Sequence, residues 1–269
     1  MRARMAAMCL LASSTVWGVL PSTALADQLD IKSANNQIQV QARSTHVDYT
    51  ERDDFGILDT ERGDVPGFAL SYSAMWSNNY YLQLQYGRNQ GHTRYVGQAL
   101  IGGTGYGSVV DRSGATMTDY QLRAGRGFVL SDAVMLTPYG EIGHHRWERG
   151  VNDGETYTHD YFGIGALAQY SPMPRLVLSA NLMVGRTFHS DIDVAGSAPF
   201  AFSASLGNSD LYKAGLAADY AFTRNFHGMI GLDYSSFEYG NSAVSAGGFY
   251  EPDSKTRYTT VNVGVGYAF

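Results

Sequence analysis

The chain has 269 residues and a formal net charge of −6, with 19 tyrosines and 31 glycines but only 16% charged residues. Nucleic-acid binding is not expected, because the sequence shows no basic patch that could neutralise phosphates. After Leu20, no apolar run approaches the length of a membrane-spanning helix, which excludes helical spans.

The N-terminus has the three parts of a secretory signal peptide. Two arginines make its start positive, an apolar run follows, and Ala-Leu-Ala at 24–26 forms a small-residue cleavage site. The sequence therefore predicts a signal peptide over residues 1–26 and a single mature domain over residues 27–269. The only cysteine, Cys9, lies in the signal, so we expect no disulfide in the exported chain.

The mature chain consists of segments in which apolar and polar residues alternate. Successive side chains of a strand point to opposite faces, so each segment predicts a strand with one apolar face. In the last strand, the apolar face ends with Tyr267 and Phe269. Ten strands are predicted, at residues 37–49, 68–76, from 80, 115–128, 134–147, 156–170, 175–188, 210–222, 226–239 and 256–269.

Short turns alternate with longer connections along the chain. The short turns lie near Asn78, Asp132, Pro172 and Arg224. Loops, the third of them brief, are predicted at residues 50–66, 97–114, 151–154, 189–208 and 240–254. This asymmetry between short turns and longer loops is typical of outer-membrane barrels. The sheet is expected to close, because an open edge in lipid leaves backbone N–H and C=O groups unpaired. The predicted fold is all-β, a transmembrane antiparallel up-and-down β-barrel of ten strands, with eight as the alternative.

The two faces of the predicted strands differ in composition. One is aliphatic, whereas the other combines polar residues with many glycines. Glycine on a concave wall leaves room for long side chains, so the polar face is predicted to line the lumen and the aliphatic face to meet lipid. Since unpaired buried charge is costly, the inward charges are expected to form one ionic network that fills the lumen. Its predicted members are Arg123, Glu141, Lys213, Asp219 and Asp233.

The mature chain resembles the OmpA/opacity-type outer-membrane β-barrel proteins. The resemblance rests on the signal, the alternation, the turn and loop lengths, and the end Tyr267-Ala268-Phe269. It implies that Tyr267 and Phe269 belong to a C-terminal insertion signal, with the barrel-assembly machinery and periplasmic chaperones as partners. It also implies the outer membrane of a Gram-negative bacterium, with the loops outside and both termini in the periplasm.

A cluster of histidines and carboxylates is predicted at the third loop. If that hairpin turns near residues 152–153, His145 lies across from Asp160. With His159 and Glu141, these residues would gather near the outer rim, where a histidine can act as a base oriented by an acid. The alternative is that rim histidines anchor the barrel at the membrane interface. No motif of a known outer-membrane enzyme is recognised, so no catalysis, metal or other cofactor is predicted.

The loops indicate binding. Residues 50–66 are acidic and residues 189–208 are unusually apolar, so either could contact an extracellular ligand, although packing among loops is the alternative for the second. The sequence predicts a monomeric integral outer-membrane protein with a structural or surface-interaction (adhesion or binding) role. Its expected partners are outer-membrane lipid and lipopolysaccharide. The alternatives are a narrow, porin-like channel for small solutes and a rim enzyme acting on lipid A or peptides.

Overall fold

The computed structural model describes residues 28–98, 105–151, 153–196 and 201–269. The predicted signal at residues 1–26 lies outside this part of the chain. A short helix, α1 (Gln28–Ala34), precedes the first strand. The described strands are β1 (Gln37–Asp53), β2 (Gly56–Met75), β3 (Tyr80–Gly97), β4 (Val109–Arg126), β5 (Phe128–Ser131), β6 (Val134–Arg149), β7 (Glu155–Met173), β8 (Leu176–Val194), β9 (Phe202–Ser205), β10 (Asp210–Ala221), β11 (Phe226–Tyr239) and β12 (Asp253–Ala268).

Ten long strands close into an antiparallel barrel. The ring runs β1-β2-β3-β4-β6-β7-β8-β10-β11-β12, and β12 pairs with β1 to complete it. The short strands β5 and β9 lie off this ring, paired with β6 and β8. The predicted fold and its ten strands are therefore confirmed. In the described ranges, no helix has the length and apolar character needed to cross a membrane.

The strands extend further than predicted at one end of the barrel. We call this end, opposite the termini and the short turns, the loop end, and the other the turn end. The predicted loop at 50–66 is instead a hairpin, because β1 and β2 stay paired out to Asp53 and Gly56. The predicted loop at 189–208 is also partly strand, since β8 continues to Val194 and pairs with β9. The alternation that places apolar residues outward is lost in 50–66. It is reversed at 191–194, where Ile192 and Val194 are buried and the two aspartates are exposed. The outer face of neither segment is the apolar face that lipid requires.

The barrel wall is apolar outside and largely polar inside. The side chains of Ile164, Leu182 and Val265 are 71%, 68% and 65% exposed on the outer wall. By contrast, Glu61 and Gln37 are fully buried in the interior. A soluble barrel has the opposite arrangement, so the outer surface is suited to hydrocarbon.

Glycine on the inner wall makes room for large side chains. A Cβ on Gly87 would overlap the guanidinium of Arg43, and one on Gly165 would overlap the ring of Tyr139. Arg43 and Tyr139 therefore lie flat against the wall. A residue larger than glycine at position 87 or 165 would push these side chains into the lumen.

Helix α1 lies across the turn end, in a segment that gave no helical signal in the sequence. Lys32 Nζ donates to the carbonyl of Ser77 at 3.3 Å, and Asp30 accepts from the backbone N–H of Arg175 at 3.0 Å. Ser77 follows β2 and Arg175 precedes β8, so the helix contacts turns on different sides of the barrel. The side chain of Ile31, in the middle of the helix, points into the barrel and is fully buried. Thus α1 covers the turn end of the lumen.

Candidate functional site in the barrel lumen

From the middle of the barrel to its loop end, the inward side chains form three layers along the axis. Nearest the middle is a cluster around Glu141. A layer of aromatic rings lies above it, toward the loop end. The last layer surrounds Arg149, at the loop end itself.

The Glu141 cluster combines one carboxylate with two cations. Glu141 accepts hydrogen bonds from Arg123 Nε at 2.7 Å and from Lys213 Nζ at 2.8 Å. The hydroxyl of Tyr161 donates to the same carboxylate at 3.0 Å. Because Glu141 is only 2% exposed, these three donors offset the cost of removing its charge from water. Three of the five predicted lumen charges therefore meet, with Glu141 in mid-lumen and not at the rim.

The other two predicted lumen charges lie outside this cluster. Asp219 is near the turn end, where it contacts His227 Nδ1 at 2.5 Å and accepts from Gln37 Nε2 at 3.1 Å. Asp233 accepts from Asn262 Nδ2 at 2.7 Å. The single five-membered network expected from the sequence is thus divided. Alternation indicates which residues face inward, but the height of each residue depends on the stagger between strands, which the sequence does not give.

A further charged pair was missed by sequence reasoning. Arg43 Nη2 lies 3.4 Å from one carboxylate oxygen of Asp119, and His145 Nδ1 lies 2.7 Å from the other. In the strand predicted at 37–49, apolar residues fall on both faces, so the sequence did not show that Arg43 faces the lumen. The structure resolves this, because β1 and β2 pair without a register shift from residue 37 to residue 51.

The aromatic layer spans the lumen from wall to wall. Tyr49 on β1 and Tyr157 on β7 occupy opposite strands of the ring, yet their hydroxyls are 3.1 Å apart. His145 on β6 and Tyr258 on β12 are also opposite, with Nε2 and the hydroxyl 3.2 Å apart. The rings are all buried and contact one another in a continuous group. Its members are Tyr49, His145, Trp147, Tyr157, His159, Phe237, Tyr239 and Tyr258.

The histidines considered as catalytic candidates belong to this buried layer. His145 and His159 are direct cross-strand partners, and their ring centroids are 5.2 Å apart. His159 Nδ1 lies 2.6 Å from the hydroxyl of Tyr239. Asp160 faces outward, where its carboxylate is 2.8 Å from His144 Nδ1. The predicted register across the third hairpin is therefore wrong by one residue, and a one-residue slip reverses the face of every side chain.

The candidate residues form no recognisable metal centre. Within the described part of the chain, no group of three or more His, Cys, Asp or Glu residues is arranged to hold a metal ion. Asp160, which faces outward, is separated by the barrel wall from His145 and His159, which face the lumen.

The layer at the loop end is built on one arginine. Arg149 donates through Nε to Glu61 at 2.7 Å, through Nη1 to Glu155 at 2.8 Å and through Nη2 to Asp59 at 3.3 Å. Its side chain has no exposed surface, and its Cζ lies 4.3 Å from the ring centroid of Tyr49. Arg149 thus ties three strands together above the aromatic layer. Sequence reasoning missed it, because two of the three carboxylates, Asp59 and Glu61, looked like part of a solvated acidic loop at 50–66.

The connection between β11 and β12 contributes a further carboxyl group to this layer. The hydroxyl of Tyr157 donates to Glu251, which is 6% exposed. Burial, and next the negative charge of Glu155, raise the pKa of Glu251 from 4.5 to about 8. Glu251 is therefore largely protonated at neutral pH, which allows it to share a buried site with the carboxylates bound to Arg149.

A cavity of about 260 Å³ lies between α1 and the aromatic layer. Its walls are polar and apolar in about equal parts and include charged groups of both signs, among them Arg43, Asp119 and Lys213. Amide side chains supply much of the remaining lining: Gln39, Gln41, Gln83, Gln85, Gln121 and Asn181. Such a cavity suits ordered water, which bridges polar groups in protein interiors.

The residues of the predicted insertion signal lie on the outer wall at the turn end. Tyr267 and Phe269 are 49% and 60% exposed. The ring of Tyr267 contacts that of Phe226 at 5.5 Å, and Phe269 stacks on Tyr72 at 5.7 Å. They therefore contribute to a band of aromatic side chains at this end of the apolar belt, as aromatic girdles do in membrane barrels.

The comparisons with known proteins concern the fold. No protein-family model and no curated protein matches the sequence. The structure is similar to the outer membrane protease OmpT from Escherichia coli, with a TM-score of 0.59 and 10% identity over 87% of this chain and 97% of that one. OprG from Pseudomonas aeruginosa matches with a TM-score of 0.40 and 12% identity, over 87% and 96% of the two chains. The likeness to OmpT shows the fold of an outer-membrane β-barrel, whereas membership of the OmpA/opacity-type group stays a prediction.

Proposed function

We propose that the protein is a non-conducting outer-membrane barrel of a Gram-negative bacterium, with a surface-interaction role at its loop end. The observation that supports this proposal is the obstruction of the lumen at two separate levels. Helix α1 covers the turn end, and the aromatic layer with Arg149 occupies the section toward the loop end. A small-solute channel needs a continuous path, so this arrangement favours a structural or binding role over transport.

The loop end offers apolar side chains to a partner. Phe55, at the tip of the β1–β2 hairpin, is 98% exposed, and Val244, between β11 and β12, is 68% exposed. Exposed apolar groups on otherwise polar loops are suited to contact with another molecule. Phe55 lies within the acidic segment 50–66 that the sequence suggested as a binding surface, whereas Val244 lies outside both suggested segments.

Planar-bilayer conductance tests the proposal directly. Wild-type protein should give no discrete current steps. A variant that combines deletion of residues 28–34 with Trp147→Ala and Tyr157→Ala should conduct, because both obstructions are weakened. Deletion of 28–34 alone is the matched control and should remain silent, since the aromatic layer is intact. Current steps from the wild-type protein would overturn the proposal.

The proposed outward placement of the loop end is tested by labelling intact cells with a membrane-impermeant maleimide. Ala246→Cys, between β11 and β12, should react, whereas Arg224→Cys, at the turn end, should react only after the cells are broken. Both positions are exposed, and the only native cysteine, Cys9, lies in the predicted signal. The reverse pattern would contradict the orientation.

Catalysis at the rim is not part of the proposed function. Both ring nitrogens of His145 have partners, Asp119 and Tyr258, and Asp160 lies on the other face of the wall. The fold shared with OmpT at 10% identity does not extend protease activity to this chain. We expect His145→Gln and His159→Gln to leave the lipid A profile and peptide cleavage by cells unchanged; loss of either activity would restore the enzyme hypothesis.

A further inference from the structure

A row of arginines crosses the outer wall near the loop end. The strand register places Arg94 of β3 directly between Arg62 of β2 and Arg112 of β4. Farther along the same line, Asp48 of β1 lies opposite both Arg62 and Arg257 of β12. We call Arg62, Arg94 and Arg112 the arginine row. Its members are far apart in sequence, so a search for basic clusters along the chain could not detect it.

Only part of this positive charge is neutralised by the protein. Asp48 accepts from Arg62 Nε at 3.0 Å and also lies 3.4 Å from Arg257. Arg94 and Arg112 are exposed, and neither forms an ion pair with a carboxylate in the described ranges; Arg112 Nη2 instead lies 3.2 Å from His92 Nδ1. Like charges directly opposite each other destabilise a strand pair. A bound anion would remove this cost.

The wall beside the row is indented. The pairing of β2 with β3 is interrupted between the Arg62–Arg94 pair and the Gly67–Asn89 pair, and the register is the same on both sides. A shallow groove lies at the interruption and is lined by all three arginines of the row. Asp111 borders the groove as well, and its carboxylate accepts the backbone N–H of Arg112 at 2.6 Å. The groove is therefore a predominantly basic surface.

The row lies beyond the apolar belt and faces sideways. On β3, the ring of Tyr86 contacts those of Phe68 and Tyr120 at 6.0 Å and 5.3 Å, which forms an aromatic band at the loop-end limit of the belt. From Tyr86 to Arg94 the strand covers about 26 Å at about 3.3 Å per residue. At a strand tilt of about 40° this is roughly 20 Å along the barrel axis. This is farther from the hydrocarbon than an ordinary lipid headgroup extends. The row is therefore level with the sugar-phosphate part of lipopolysaccharide, which is the headgroup meant below, and not with acyl chains.

We propose that the arginine row binds phosphate groups of the lipopolysaccharide headgroup. Guanidinium groups make paired, charge-assisted hydrogen bonds to phosphate, and three of them on adjacent strands can contact more than one phosphate. Because the row faces along the membrane plane, the first polyanion it meets is the lipid of its own membrane. This inference rests on the proposed outward placement of the loop end.

Binding of purified lipopolysaccharide to the folded mature protein in detergent micelles tests this inference. Arg94→Gln/Arg112→Gln should weaken binding about tenfold or more, since charged hydrogen bonds are lost, and enzymatic dephosphorylation of the lipopolysaccharide should have the same effect. The matched control is Arg146→Gln/Arg186→Gln, which removes the same charge from exposed arginines paired with Glu148 and Asp210. It should change the affinity less than about twofold, as exposed ion pairs contribute little.

Three results would overturn the inference. The first is that dephosphorylated lipopolysaccharide binds as tightly as the intact form. The second is that the control variant loses as much affinity as Arg94→Gln/Arg112→Gln. The third is that the wild-type protein binds soluble heparin more tightly than lipopolysaccharide and the double variant does not. Heat-modifiable mobility on a gel verifies folding, and the single variant Arg94→Gln serves if the double variant does not fold. The binding assay is carried out in micelles and does not depend on whether the barrel conducts. Current steps from the wild-type protein would therefore refute the proposed function but would not affect the measured lipopolysaccharide binding.

Discussion

The hydroxyls of Tyr49 and Tyr157 meet 3.1 Å apart although the two residues stand on opposite strands of the barrel. A direct contact between opposite walls requires that the two side chains together span the lumen. Tyr157 also interacts with Arg149, at 3.3 Å, and donates to Glu251. The tyrosine pair therefore links the aromatic layer to the ionic layer above it, so that both act as one obstruction.

Replacing Tyr157 with phenylalanine should destabilise the barrel. The substitution keeps the ring but removes the hydroxyl that joins Tyr49, Arg149 and Glu251, so buried partners lose a hydrogen bond. We expect the free energy of unfolding to fall by about 1–3 kcal/mol. Urea unfolding in detergent micelles measures the change. Tyr234→Phe, at an exposed position on the outer wall, is the control and should change stability by less than about 0.5 kcal/mol.

Removal of the Arg149 charge should have a larger effect. In Arg149→Met, the carboxylates of Asp59, Glu61 and Glu155 are left buried without their cation. We expect a loss of about 3–5 kcal/mol of unfolding free energy at neutral pH. Adding Glu61→Gln should recover part of the loss, because one uncompensated charge is removed. An equally large loss in Arg186→Met, where the arginine is exposed, would indicate a general charge effect instead.

Alternation in the sequence was sufficient to predict the strands that meet lipid. The strand predicted at 226–239 coincides with β11, and that predicted at 134–147 falls within β6 (Val134–Arg149). Alternation with the apolar residues outward reports on lipid contact, so it is lost or reversed where the barrel rises beyond the belt. Glu61 and Arg149 are inside the barrel there, yet the segment around Glu61 reads as a solvated loop.

The candidate site was less predictable than the fold, because it depends on register. His145 and His159 were correctly expected to be close, but a one-residue error in the hairpin placed Asp160 on their face. The stagger between strands also decides which inward charges meet. It brings Lys213 to Glu141 and leaves Asp219 near the turn end, a difference that no local pattern encodes.

Stability should depend on pH through Glu251. The native state, with the pKa of Glu251 raised to about 8, retains a proton that the unfolded chain releases above its ordinary pKa of 4.5. The free energy of unfolding therefore falls as the pH rises from about 4.5 to about 8, by up to about 1.4 kcal/mol per pH unit. In Glu251→Gln this contribution is absent, so the variant should gain stability relative to wild type across that range. Urea unfolding between about pH 5 and 9 measures it.

The control for this pH dependence is Glu238→Gln. Glu238 is exposed and paired with Lys255 on the outer wall, so its removal should leave the slope of stability against pH unchanged. A slope that is the same in wild type and Glu251→Gln would show that Glu251 ionises normally in the folded barrel.

Adding a methyl group to Gly165 should disrupt the inner wall. A Cβ at this position would overlap both the backbone carbonyl of Leu182 and the ring of Tyr139, and a backbone atom cannot move aside as a side-chain tip can. We expect Gly165→Ala to lower the unfolding free energy by about 1–3 kcal/mol. Gly140→Ala is the matched control, because a Cβ there meets no atom within 4 Å. It should be neutral or slightly stabilising, since glycine weakens a strand interior; similar losses in both variants would contradict the steric explanation.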